Sequence, residues 1–249
     1  MAGHSKWAQI KRKKAVTDAR RGHLFTRLLR EITVSARLGG GDPNGNPRLR
    51  AAIEEAKSSS VPKENIERAI QKGTGELPGE VYEEIEFEGY GPGGVAVLVQ
   101  TATDNRNRTV AEIRHAFSKN GGSLGEAGCV AWQFARRSYF AIPVGALDED
   151  ALIELAVALG VEDVVSGDEV HEIYAPVESF GAILAEVERR GLELAANELV
   201  LQPSTTIELG GAAAEQALRL LDALDEHDDV QRVWSNLEAD AEALASASE

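Results

Sequence analysis

The apolar positions of this chain change period twice. From Thr17 to Leu38, Leu24, Phe25, Leu28, Leu29, Ile32 and Ala36 recur at three- and four-residue steps, the spacing of one helix face. Gly39-Gly40-Gly41 is predicted to stop that helix, because glycine takes the left-handed conformation a helix end uses. Asp42-Pro43-Asn44-Gly45 reads as a turn, and Asn46 as an N-cap with Pro47 at the first helical position. Leu49, Ile53 and Ala56 then give a second helix with a narrow apolar face. A third opens at Pro62, with Ile66, Ala69 and Ile70 facing inward and Gly73 as its stop. Three helices with facing stripes make a small bundle.

After Gly79 the period falls to two. Val81, Glu83, Ile85 and Phe87 alternate with Tyr82, Glu84, Glu86 and Glu88, which predicts a strand with one acidic face. Gly91-Pro92-Gly93-Gly94 is a hairpin connection into a more buried strand, Val95–Thr103. Arg108–Lys119 reads as a helix with Val110, Ile113, Ala116 and Phe117 inward, ended by Asn120-Gly121-Gly122. A strand is expected again at Cys129–Phe134.

Between 135 and 203 the expected order is strand (Ser138–Val144), helix (Asp148–Leu159), strands (Val161–Ser166 and Val170–Ala175), helix (Glu178–Arg190) and strand (Leu194–Gln202). That β-α-β-β-α-β order is ferredoxin-like. Thr205–Leu209, a helix at Ala212–His227 and a strand at Val230–Leu237 are too few for a core, but they complete the sheet begun at 80–134. The expected fold is therefore α+β in three domains: a basic helical domain at 1–78, a discontinuous middle α/β domain at 79–134 plus 204–249, and an inserted ferredoxin-like domain at 135–203.

Charge changes this picture more than composition does. The 249 residues carry a net −15, yet residues 1–75 hold 16 Lys+Arg against 7 Asp+Glu, and residues 76–249 hold 10 against 34. A basic end on an acidic body suggests a nucleic-acid partner for that end and protein partners for the acidic domains. No apolar run is long enough to span a membrane, and no apolar stretch follows the N-terminal charges as in a secretory signal. The single cysteine, Cys129, allows neither an internal disulfide nor a cysteine-based zinc site, which fits a reducing compartment.

Enzyme signatures fail on context. Gly121-Gly122-Ser123-Leu124-Gly125 matches the nucleophile-elbow spacing, but a helix precedes it and a strand follows, the reverse of what that serine requires. Gly89–Gly94 leads into a strand, so it lacks the helix N-terminus a dinucleotide loop needs. The five histidines are scattered without an i, i+4 pair. Glu226-His227-Asp228-Asp229 reads as a solvated loop between helix and strand. The expectation is no enzyme, no cofactor and no metal.

The residues expected to meet nucleic acid are Lys6, Trp7, Lys11, Arg12, Lys13 and Lys14, followed by Arg20, Arg21, Arg27, Arg30 and Arg37. Arg20, Arg27, Arg30 and Arg37 fall on a helix face away from the apolar stripe. Trp7 serves either to stack on a base or to anchor the arm. The ferredoxin-like segment is acidic and lacks the basic, aromatic-rich strands of an RNA-recognition domain. Phosphate contact by the first domain is the reading that follows.

Gly3-His4-Ser5-Lys6-Trp7 resembles the opening signature of the YebC/PmpR family, which includes the mitochondrial translational activator of cytochrome oxidase. Phe25–Ile32, Gly41-Asp42-Pro43, Pro62–Ile70, Tyr90–Gly94, Thr103–Thr109 and Gly121–Gly125 fit as well. Gln9 and Cys129 depart from residues common in that family. The resemblance covers nearly the whole chain and implies the three-domain architecture above. It also implies a cytoplasmic DNA-binding transcriptional regulator, or alternatively a factor acting on ribosomal RNA to relieve stalling at proline-rich stretches. The mitochondrial members carry an extension before the signature, so cytosol is expected here. The resemblance supplies no catalytic residues.

Overall fold

A computed structural model describes residues 18–147, 149–167, 169–240 and 243, with the side chains of 18–21 and 149 outside what it describes. The described residues form two compact units, one made of residues 132–206 and the other of the described residues on either side of them.

In the larger unit, α1 (Asp18–Gly39), α2 (Pro47–Ser58) and α3 (Lys63–Thr74) pack around Leu28, Ile32, Ala36, Leu49, Ile53, Ala56, Ile66 and Ala69. Asn46 is the fastener of this bundle. Its Oδ1 accepts from Leu49 N–H at 3.1 Å, capping α2. Its Nδ2 donates to the carbonyls of Ser35 at 2.8 Å and Gly40 at 2.9 Å, which ties the end of α1 to the start of α2. The third helix runs past its expected stop. Gly75, at φ +84, is the left-handed cap, whereas Gly73 lies inside α3. A Cβ at Gly73 would come 2.5 Å from the Thr33 carbonyl oxygen, so this glycine lets α1 and α3 touch.

The same unit holds a second core. Strands β1 (Glu83–Tyr90), β2 (Ala96–Thr103), β3 (Ser123–Leu124) and β9 (Val230–Ser235) form an antiparallel sheet in the order β3-β1-β2-β9. Ile85, Phe87, Val97, Val99 and Val233 pack against Ile113 and Phe117 of α4 (Arg106–Lys119) and Leu218 and Leu221 of α7 (Gly211–Asp225). The expected Thr205–Leu209 and Val230–Leu237 strands are partly redirected. Ile207–Leu209 (β8) pairs in parallel with Leu237–Ala239 (β10) outside the main sheet. Asn236, 1% exposed, makes the break between β9 and β10 and accepts from Ala96 N–H at 2.8 Å.

Two expectations fail together, for one reason. Glu88 does not belong to a solvated acidic face: it is 7% exposed. Its carboxylate accepts from the backbone N–H groups of Gly128 (2.6 Å), Val130 (2.7 Å) and Ala131 (2.7 Å). Those donors are then lost to a strand ladder, so Cys129–Gln133 is a loop and a 3₁₀ turn (Ala131–Gln133) rather than a strand, and Phe134 instead opens the next strand.

The smaller unit contains β4 (Phe134–Pro143), α5 (Glu149–Leu159), β5 (Asp163–Ser166), β6 (Val170–Ala175), α6 (Phe180–Arg189) and β7 (Ala196–Pro203). Its antiparallel sheet has the order β5-β6-β4-β7. Phe140, Ile142 and Ile173 pack on Leu152, Leu155, Ile183 and Val187. The two ends of the unit lie side by side. Phe134 faces Pro203 in register, and Ser204 donates N–H and Oγ–H to the Gln133 carbonyl at 2.8 and 2.9 Å. Replacing residues 133–204 by a short glycine linker should therefore leave the larger unit folded, and the excised segment should unfold cooperatively by itself. Urea melts of both pieces check this; a molten remainder would show that the sheet needs the smaller unit.

Candidate nucleic-acid interface

Lys6, Trp7, Lys11, Arg12, Lys13 and Lys14 lie outside the described residues, and Arg20 and Arg21 are placed on α1 without described side chains. The other three arginines divide. Arg37 is exposed and has no carboxylate partner among the described residues. Arg27 and Arg30 do not form the open face expected of them. Arg27 Nη1 lies 3.1 Å from Asp225 Oδ1, with both side chains less than a fifth exposed (17% and 18%). Arg30 Nη1 lies 3.4 Å from Asp229 Oδ1, donates to the Asp228 carbonyl, and stacks its guanidinium 4.9 Å from the centre of the Tyr82 ring. His23 completes the seam, with Nδ1 3.3 Å from Asp228 Oδ1. Arg48 adds a second tie, reaching Glu31 of α1 at 2.7 Å and Glu84 of β1 at 2.6 Å.

Asp229 is the hub of this seam, and the expectation of a solvated loop at 226–229 is corrected by it. Its side chain is 2% exposed. Oδ2 accepts from Arg108 Nη2 at 2.7 Å, Thr109 Oγ1 at 2.7 Å and Thr103 Oγ1 at 3.0 Å. Burial alone would raise this carboxyl. The Arg108 guanidinium and the two hydroxyls outweigh it and hold the group below the ordinary carboxylate value. Glu88 follows the same rule, with burial opposed by its three backbone donors. Thr103–Thr109 thus acts as a clamp: Asn105 caps α4 by accepting from Arg108 N–H at 3.1 Å, and Arg108 also holds Asp104 at 3.0 Å. The signal that would have found the hub was an aspartate at the end of a helix-to-strand loop together with a Thr-x-x-x-x-Arg-Thr run, and neither is distinctive by itself.

Glu112, His227 and Asp229 bring one ligand atom each within 4.8 Å of one another. The donor set does not suit a cation. Asp229 Oδ2 already accepts three hydrogen bonds, one from a guanidinium. His227 Nδ1 accepts from the Asp229 N–H at 3.1 Å, and its Nε2 is 2.9 Å from Glu112. The group is an ion and hydrogen-bond network. A cleft of about 950 Å³ opens beside it, lined by Arg30, Tyr82, Arg108, His115, Lys119 and several carboxylates. Ser123 sits on the short strand β3, after a helix, and not on a strand-to-helix turn.

In the smaller unit, Tyr139 and Tyr174 stand opposite each other on the central strands β4 and β6, an aromatic pair that the acidic composition concealed. They are not an open stacking platform. The rings are 4% and 7% exposed, and both hydroxyls donate to Glu172, at 3.0 and 3.4 Å. Burial and the Glu172 charge push the Tyr174 phenol up.

Family models match the chain along its length: the TACO1/YebC protein N-terminal domain at residues 5–76, and the TACO1/YebC second and third domain at residues 82–237. The chain belongs to the TACO1/YebC family. Relatives named "Probable transcriptional regulatory protein" include one from Chlorobium luteolum, 51% identical over 99% of this chain and 99% of its own. Another, from Acidobacterium capsulatum, is 53% identical over 96% of each chain. The crystal structure of a conserved hypothetical protein from Aquifex aeolicus is similar at a TM-score of 0.80 and 48% identity, covering 90% of this chain and 92% of that one. The family fold is mixed α and β, as found here. Among the described residues no helix is long and apolar enough to cross a membrane.

Arg27→Gln with Arg30→Gln should destabilise the larger unit by about 1–3 kcal/mol, because the half-buried Asp225 loses the guanidinium beside it and the buried Asp229 keeps only one of its two. Arg37→Gln should leave stability within about 0.5 kcal/mol. Paired denaturant melts distinguish the two. The depressed Asp229 and Glu88 carboxyls also set an acid limit. Each contributes stability above the ordinary carboxylate value, near pH 4, and loses it as pH falls from there through its folded value. Asp229→Asn should lower stability at neutral pH and flatten the decline below about pH 4, as read from melting temperature against pH.

Proposed function

We propose that this protein is a non-enzymatic, cytoplasmic, DNA-binding transcriptional regulator. In this reading the basic helical domain (1–78) contacts phosphates, and the middle domain (79–134 plus 204–249) carries the inserted ferredoxin-like domain (135–203). The strand order of the smaller unit supports the last assignment, and the separate cores of the larger unit support the first two. The observation that carries the functional reading is charge segregation, 16 cations against 7 acids in residues 1–75 of a chain with a net −15. The names of full-length relatives near 50% identity agree with it.

The seam refines which groups do the binding. Lys6, Lys11, Arg12, Lys13, Lys14, Arg20, Arg21 and Arg37 are the proposed phosphate contacts, with Trp7 stacking or anchoring. Arg27 and Arg30 join them only by exchanging Asp225 and Asp229 for phosphate. Such contact is indifferent to base sequence, so salt dependence is its measure.

Replacing Lys11, Arg12, Lys13 and Lys14 by glutamine should weaken binding to a mixed-sequence DNA duplex. The slope of log affinity against log salt should shrink by roughly 0.9 for each phosphate that the variant no longer neutralises. Fluorescence anisotropy across a salt series reads both. Absence of duplex binding by the parent, with co-sedimentation on ribosomes that the variant loses, would overturn the DNA reading in favour of ribosomal RNA.

A further inference from the structure

The acidic body does not spend its cations at random. From residue 76 onward there are 10 Lys+Arg. Arg106, Arg108, Arg137, Arg189, Arg190, Arg219 and Arg232 each lie against a carboxylate. Arg114, Lys119 and Arg136 have no such partner among the described residues. Arg136 belongs to the smaller unit. Arg114 and Lys119 are both on α4, both exposed, with exposed His115 between them.

Helical geometry puts these groups on one side. Ile113 and Phe117 are the buried stripe of α4. Asn107, Ala111, Arg114, His115, Ser118 and Lys119 occupy the opposite arc, all exposed. Lys119 in the last turn also complements the helix dipole, but Arg114 in the middle of the helix has no such use. The nearby carboxylates oppose the patch only in part, because several of them already lie against other groups. Asp104 and Asp229 hold Arg108, Glu112 faces His227, Glu83 holds Arg106, and Asp225 holds Arg27. Glu80, Glu226 and Asp228 line the cleft from other elements, so the favourable potential for an anion lies on the outer face of α4.

The patch also lies within reach of the helical bundle. Arg30 of α1 and His115 and Lys119 of α4 line the same cleft. We propose that the outer face of α4, through Arg114, His115 and Lys119, is a second phosphate-contacting surface that grips the backbone of the nucleic acid held by the helical domain. The inference rests on the nucleic-acid reading above. It assigns to the acidic middle of the chain a direct contact with the polyanion.

The test uses the full chain and a mixed-sequence DNA duplex. The triple variant Arg114→Gln, His115→Gln, Lys119→Gln should bind more weakly at low salt. Its log–log salt slope should shrink by roughly 1.8, at about 0.9 for each of two permanent charges. Its melting temperature should match the parent, since exposed unpaired charges contribute little to folding. A charge-keeping variant, Arg114→Lys with Lys119→Arg, should bind like the parent; equal weakening in both variants would overturn a charge-based contact. Parent binding that the Lys11–Lys14 variant loses and the α4 triple variant retains, slope included, would overturn this inference and leave the functional reading standing. Failure of the parent to bind duplex would overturn both.

Discussion

The larger unit depends on one buried carboxylate. Asp229 sits at the entry to β9, where its carbonyl accepts from Ala102 N–H at 2.8 Å and sets the edge strand beside β2. Its side chain gathers a hydroxyl from the end of β2, a hydroxyl and a guanidinium from the first turns of α4, and the approach of Arg30 from α1. An isolated charge in such a place would be costly, and so its surroundings have to converge on it. Satisfying one group therefore positions a sheet edge, a helix start and the helical bundle together. The apolar cores determine that helices and sheet form; the ion network determines where the bundle rests.

Elements whose evidence lies in local chemistry were legible in the chain. The 3.6-residue spacing of Leu28, Ile32 and Ala36, the Asn46-Pro47 cap, the Gly91–Gly94 hairpin and the β-α-β-β-α-β order all appear as read. What escaped depends on partners distant in sequence. Gly73 looks like a helix stop until the Thr33 carbonyl is known to lie against it. Glu88 looks solvated until a loop 40 residues on turns three N–H groups toward it. Arg27 and Arg30 look like a free basic face because their acids, Asp225 and Asp229, lie on the far side of the sequence (198 positions from Arg27 to Asp225). Spacing along one helix identifies a face without revealing what meets it.

The arginine stripe shows the consequence for a candidate site. Identical residue types on one helix divide into structural ties (Arg27, Arg30) and an exposed cation (Arg37), and only the tertiary partners tell them apart. The same sorting in the acidic body leaves Arg114, Lys119 and Arg136 without a carboxylate among the described residues, the first two on one helix. A net charge of −15 says little about local potential, which depends on where the cations that hold no carboxylate stand.

The adjacent ends of the smaller unit bear on how the chain finds its fold. Pairing β2 with β9 joins Thr101 to Val230, and the smaller unit lies between them in sequence. Once residues 132–206 have folded, with Phe134 beside Pro203, they act as a short bridge and not as free chain. The loop left to close is then less than half as long, which lowers the closure entropy by about 0.7 kcal/mol. Folding of the inserted segment first would hasten assembly of the sheet whose strands flank it in sequence, so a segment that carries none of the proposed contacts influences how fast the domain bearing them is completed.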